Sequence, residues 1–229
     1  MGYKSLLSHH KETLPWHFDP SIESQDCTFV GNIDMDWDRR IQDLKNLDCL
    51  SKTSCVDIWP EDRDNWEQSE IAWSKRDHIE NGYVHENTRH DQIVSSDLTL
   101  FPDWVSSLIS VCKLNEVFVG IVRQPCGSVI PWHSDSYEAF KRKFELEEQE
   151  MRNIVRYLVF PEGWRWGHFV QIGNNVLSNW KAGDIYTWPN RMHHLTCNAG
   201  IQPKYTIQIT GFVSNDSLHL RAPISMKLD

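Results

Sequence analysis

Ile154-Val155-Arg156-Tyr157-Leu158-Val159-Phe160 runs into Pro161-Glu162-Gly163, and that short cycle of strand-forming run and turn repeats to residue 212. Residues 167–172 end in Gly173-Asn174-Asn175, and residues 176–180 precede Lys181-Ala182-Gly183-Asp184. Residues 185–188 and 194–198 follow, then the turn Ala199-Gly200 and the long run 205–212. Val, Ile, Tyr, Phe and Thr suit a pleated surface, whereas Gly, Asn and Pro suit the bends between. Strands so short and so regularly spaced predict an all-β barrel or a double-sheet jelly roll.

Working upstream, residues 116–123 alternate as a strand, Pro125-Cys126-Gly127-Ser128 is a turn, and residues 129–132 are extended again. Residues 136–151 read as a helix that Ser136 can cap, with Phe140 and Phe144 one turn apart. Trp37, Ile41, Leu44 and Leu47 have helical spacing over 37–50, with Asp34 or Asp36 as the cap. A further helix is expected over 102–114. Residues 1–25 read as an arm or edge element, and 60–70 as a charged loop. We therefore expect a single domain over 1–229, with a mixed helical support region over 1–115 and a β core over 116–213.

A chain of 229 residues can bury one substantial core. Its net charge of −9 argues against broad nucleic-acid affinity, because phosphate backbones attract surplus Lys and Arg. No run approaches the roughly 20 apolar residues of a membrane span, and Met1–His10 has no apolar signal segment. The cysteines at 27, 49, 55, 112, 126 and 197 are scattered, so reduced thiols and a cytoplasmic location are expected. Without a cysteine cluster, a thiolate zinc site is disfavoured.

The chemistry concentrates at Trp132-His133-Ser134-Asp135 and at Met192-His193-His194. Side chains two apart on a strand share a face, so His133 and Asp135 can bind one metal while Trp132 and Ser134 point away. By itself His-x-Asp occurs by chance in many chains. A distant histidine would complete the set, and since adjacent strand residues face opposite ways, only one of His193 and His194 should bind. The reading favours His194, with His193 at the pocket rim. Two imidazoles and a carboxylate leave one side of an Fe(II) ion open. Ten positions on, Lys204, Thr206, Gln208 and Thr210 share one strand face. Polar groups inside a barrel are costly unless something bonds to them. A dicarboxylate would answer that, with Lys204 on its distal carboxylate and Thr206 as a hydroxyl donor; an exposed lysine on an edge strand is the plainer alternative.

Together with Asn179-Trp180-Lys181-Ala182-Gly183-Asp184 and Tyr205-Thr206-Ile207-Gln208-Ile209-Thr210-Gly211, these residues resemble the Fe(II)/2-oxoglutarate-dependent dioxygenase superfamily. Within it they are most similar to the aspartyl/asparaginyl β-hydroxylase-like branch, over about residues 116–213. The resemblance implies a mainly β fold with flanking helices around a double-stranded β-helix (jelly-roll, cupin-like) core. It implies iron on His133, Asp135 and His194, and 2-oxoglutarate held by Lys204, Thr206 and Gln208. A retained Asp135 points to hydroxylation rather than halogenation. The implied substrate is a small amino-acid-like molecule or a peptide, oxidised with O₂ as 2-oxoglutarate becomes succinate and CO₂. Candidate substrate contacts are Tyr137, Arg156, Arg165, Trp166 and Arg191, with Trp132 at the rim. Two other readings stand beside this one: an oxygenase of a nucleobase or other small metabolite, and a non-catalytic cupin-like binding barrel.

Overall fold

A computed structural model describes residues 27–58, 75–135, 137–190, 192–221 and 223–228. The expected arm over 1–25, the loop over 60–70, the cap Ser136 and the candidate contact Arg191 lie outside these residues.

Between residues 115 and 212 the chain crosses repeatedly between two sheets. Strands β4 (Asn115–Gln124), β6 (Ile154–Val159), β9 (Asp184–Thr187) and β11 (Lys204–Phe212) lie side by side in one sheet, ordered β9-β6-β11-β4. Strands β5 (Ser128–His133), β7 (His168–Ile172), β8 (Asn175–Leu177) and β10 (His194–Asn198) form the other, ordered β5-β10-β7-β8. Every pairing within these two groups is antiparallel. Eight strands wound this way make a double-stranded β-helix, and the protein is mainly β with flanking helices.

The larger sheet continues on both sides. Strands β1 (Thr28–Asp34) and β12 (Ile224–Lys227) extend it beyond β9, while β3 (Arg89–Ser95) and β2 (Ser51–Ser54) extend it beyond β4. The first half thus supplies three strands that its helical periodicity did not announce. Polar stretches such as Ser51-Lys52-Thr53-Ser54 carry no alternation to read, because only Ser54 is buried.

Alternation decides what faces where. On β11, Tyr205, Ile207 and Ile209 turn outward into a buried cluster with Val119 and Ile121 of β4. Helices Trp37–Lys45 and Trp104–Cys112 cover that face through Trp37, Ile41, Leu44, Val105 and Leu108. Asp36 caps the first, accepting from the Arg39 amide at 3.2 Å. The even-numbered residues of β11 turn inward, between the sheets. An apolar layer of Leu158, Phe160, Val170, Ile172, Trp180 and Trp188 fills part of that interior.

The expected helix over 136–151 is shorter. It spans Glu138–Phe144, then Glu145 adopts a left-handed φ of 52° and a 3₁₀ stretch follows over Glu148–Asn153. The break has a packing cause. Phe140 and Phe144 seat on Phe212 at ring distances of 5.6 and 5.3 Å. The turn brings Leu146 and Met151 back onto the same cluster, which a straight helix would have carried them away from. At the opposite end of the barrel Gly167 has φ +86°, and a Cβ there would lie 2.3 Å from the Gly200 amide nitrogen. Only glycine lets these two loops close on each other. No helix among the described residues is long and apolar enough to cross a membrane.

Candidate metal centre

The register places the two candidate histidines, and Asp135 follows in the loop just past β5. His194, at the start of β10, pairs directly across from His133, at the end of β5. Their rings are 4.3 Å apart between centroids. One ligating atom each from His133, Asp135 and His194 falls within 4.8 Å of the others. Of the two adjacent histidines, His194 is the one that joins the group. His193 faces away and stacks on Trp132 at 6.1 Å and 28°, so the residue preceding each ligand histidine shares the opposite side.

Both imidazoles are oriented by a carbonyl two residues earlier. His133 Nδ1 lies 2.7 Å from the Pro131 carbonyl oxygen, and His194 Nδ1 lies 3.0 Å from that of Met192. A carbonyl can only accept, so each Nδ1 carries the proton and Nε2 carries the lone pair. Burial, then the neighbouring His194, pulls His133 down to about 4. Burial likewise lowers His194. For Asp135, burial pushes the pKa up, but Arg156 and the two imidazoles outweigh it and hold the carboxyl below its usual range. Neutral imidazoles beside an ionised carboxylate are the protonation states a metal requires.

Asp135 is divided between two neighbours. Arg156 Nη1 donates to its Oδ1 at 2.6 Å, while Oδ2 is buried without a hydrogen bond from the described residues and lies 3.7 Å from His194 Nε2. An orphaned buried carboxylate oxygen is costly, and a cation at this point would satisfy it. Arg156 is held in turn by Thr210, to which its Nε donates at 3.0 Å, and by the Tyr137 ring 4.9 Å away. Trp188 closes another side, 5.1 Å from the His194 ring. The two-histidine, one-carboxylate donor set fits a divalent ion such as non-haem Fe(II).

Lys204 is 2% exposed at the inner end of β11. Its Nζ donates to the Phe169 carbonyl at 2.9 Å, to the Cys197 carbonyl at 2.7 Å and to the Thr196 hydroxyl. An ammonium has three donors, and these use all of them. Burial pulls Lys204 down to about 7, while its three acceptors favour the charged form. Thr196 is two residues from His194, so the bonds to Thr196 and Cys197 tie Lys204 to the strand that carries that ligand. Thr206 and Gln208 share its inward face.

A cavity of about 40 Å³ adjoins Arg156, the partner of Asp135, with Arg156, Tyr137, Gln208 and Thr210 on its polar side and Phe118 and Phe140 among its apolar walls. Two sequence candidates are therefore at the centre: Tyr137, and Arg156 in the role of partner to Asp135. Two others are elsewhere. Arg165 pairs with Glu162 at 3.2 Å and donates to Gln202, and Trp166 is 85% exposed near Gly200, both at the barrel end that carries the 199–203 turn. Thr210, on the inward face read from the sequence, is the residue that holds Arg156, and Trp188, which reads as core by sequence, belongs both to the core and to the wall beside His194.

No protein-family model matches the sequence, and no curated protein does. Solved structures match over part of the chain. A predicted oxalate decarboxylase from Thermotoga maritima is 10% identical with a TM-score of 0.33, over 55% of this chain and 82% of that one. The cupin domain of a Schizosaccharomyces pombe protein is also 10% identical with a TM-score of 0.33, over 54% and 65%. A salicylate 1,2-dioxygenase from Pseudoaminobacter salicylatoxidans is 16% identical with a TM-score of 0.30, over 41% of this chain and 20% of that one. The likeness is one of fold.

Proposed function

We propose that this chain is an Fe(II)/2-oxoglutarate-dependent oxygenase that hydroxylates an amino-acid or peptidyl side chain. One observation carries the reading: His133, Asp135 and His194 bring their ligating atoms within 4.8 Å inside a double-stranded β-helix. Bound iron and 2-oxoglutarate would supply O₂ activation, with 2-oxoglutarate converted to succinate and CO₂. The chain's own work is to orient and to shield. Pro131 and Met192 carbonyls fix the imidazole tautomers, and Arg156 holds one oxygen of Asp135 so that the other faces inward. Trp188 and the apolar layer behind it keep water from the same space. Lys204 would hold the distal carboxylate of 2-oxoglutarate, exchanging neutral acceptors for an anion, with Thr206 beside it.

The test is an anaerobic titration with Fe(II) and then 2-oxoglutarate, following the visible iron-to-keto-acid charge-transfer band. The band should appear, and His133→Ala and Lys204→Ala should each weaken it. A loaded metal without the band would sink the 2-oxoglutarate assignment. It would favour a cupin-like binding barrel instead, a reading supported by the complete internal pairing of Lys204. If the band forms, succinate release across substrate classes separates an amino-acid hydroxylase from an oxygenase of a nucleobase or other metabolite.

A further inference from the structure

The cavity next to Arg156 has a charge inventory that restricts what can enter it. Its cation, Arg156, already faces Asp135 at 2.6 Å and is 15% exposed. The other polar side chains on its wall, Tyr137, Gln208 and Thr210, are of kinds that carry no charge at neutral pH. A carboxylate entering here would meet a guanidinium whose charge Asp135 already balances. An ammonium would meet Arg156 with no carboxylate left to balance it. Uncharged groups pay neither penalty.

What the cavity does offer is hydrogen bonding between apolar walls. The Gln208 amide makes no side-chain hydrogen bond with the described residues, although it carries two donors and an acceptor. Gly120 sits directly across from it on β4, and a Cβ there would lie 3.4 Å from Gln208 Oε1. The missing side chain at 120 therefore keeps the amide reachable. Val94, Phe118 and Phe140 supply the apolar sides. About 40 Å³ is room for roughly three waters, at about 10–15 Å³ each, or for a carboxamide-sized head.

We propose that this cavity, which adjoins the metal site through Arg156, is a substrate subsite and that it receives an uncharged, hydrogen-bonding group. Gln208 is its recognition residue rather than the 2-oxoglutarate contact the resemblance implies, and Arg156, already balanced by Asp135, offers a carboxylate no net charge. This rests on the oxygenase reading above and narrows its substrate to neutral side chains.

Propionamide and propionate are matched in shape and differ in charge, so they test the selection directly. The full-length protein is used metal-free, so that a carboxylate is not drawn to the metal instead. Saturation transfer to the ligand methyl reports binding, and the Gln208 side-chain amide resonance reports its place. Propionamide should bind in the millimolar range expected of so small a ligand and shift that resonance. Propionate should bind about tenfold more weakly or worse. Gly120→Leu should abolish propionamide binding by filling the space. Gln208→Leu, which keeps the volume and removes the amide, should abolish it too. Propionate binding as tightly as propionamide, or propionamide leaving Gln208 unmoved, overturns the proposal. A charge-transfer band without amide binding would sink the subsite alone, and amide binding without the band would sink the oxygenase reading alone.

Discussion

A reach of two residues separates each ligand histidine from the carbonyl that orients it, at 2.7 Å for His133 and 3.0 Å for His194. That repetition is visible only at the scale of single atoms, and so is the division of Asp135 between Arg156 and the open interior. Partners of this kind set metal affinity by orienting the ligand. Arg156→Met should therefore weaken Zn(II) or Co(II) binding by about 10–100-fold, read by calorimetry. Arg156→Lys should recover part of it; an unchanged affinity with a lower melting temperature would make Arg156 merely structural. Lys204 gives a pH signature. Folded Lys204 loses its proton near 7, whereas the unfolded chain keeps it to about 10.5. Between those values the unfolded state binds more protons, so this residue's contribution makes stability rise with pH, by up to about 1.4 kcal/mol per unit. Lys204→Met should flatten that rise in denaturant melts followed from pH 7 to 10; an identical slope in both proteins would refute it.

At the scale of elements, the strands were legible where one face is buried and the other is not, or where turn residues punctuate them. Residues 154–160 and 204–212 are buried on both faces, and β6 and β11 were legible there from strand-forming residues and the turns that bound them. The helix over 136–151 failed as a single element because the aromatic cluster on Phe212 pulled its second half back, and no local preference announces that. Loops are decided by close approach. Gly167→Ala must place a methyl 2.3 Å from the Gly200 nitrogen at a left-handed φ, so it should cost about 1–3 kcal/mol and lower the melting temperature by several degrees. A melting temperature within error of the parent would show that the two loops can part freely.

Across the whole molecule, β4 and β11 lie at the centre of the larger sheet, with partners on both sides and side chains packed on both faces. Their amides should exchange hydrogen only through global unfolding, while those of the edge strands β2, β8 and β12 exchange orders of magnitude faster. Comparable protection at edge and centre would mean the sheets do not open from their margins. Zn(II) at 100 times its dissociation constant should add about 2.7 kcal/mol to stability, since it binds the folded triad and not the dispersed ligands. Asp135 lies two residues past the end of β5, so its approach to His133 belongs to the tertiary structure; by itself, the sequence determined the alternating strand-and-turn economy of residues 115–212 and the inward polar face of β11. These are local properties, set by a side-chain period of two and by the backbone tastes of glycine, asparagine and proline. The tertiary structure brought His194, the histidine that the sequence favoured, to the other two ligands, and it alone gave Arg156 to Asp135 and turned Lys204 upon three internal acceptors. It also left Arg165 and Trp166 at the other end of the barrel. Those outcomes depend on which strands meet and in what register, and pairing between residues far apart in the chain leaves no trace in the local pattern.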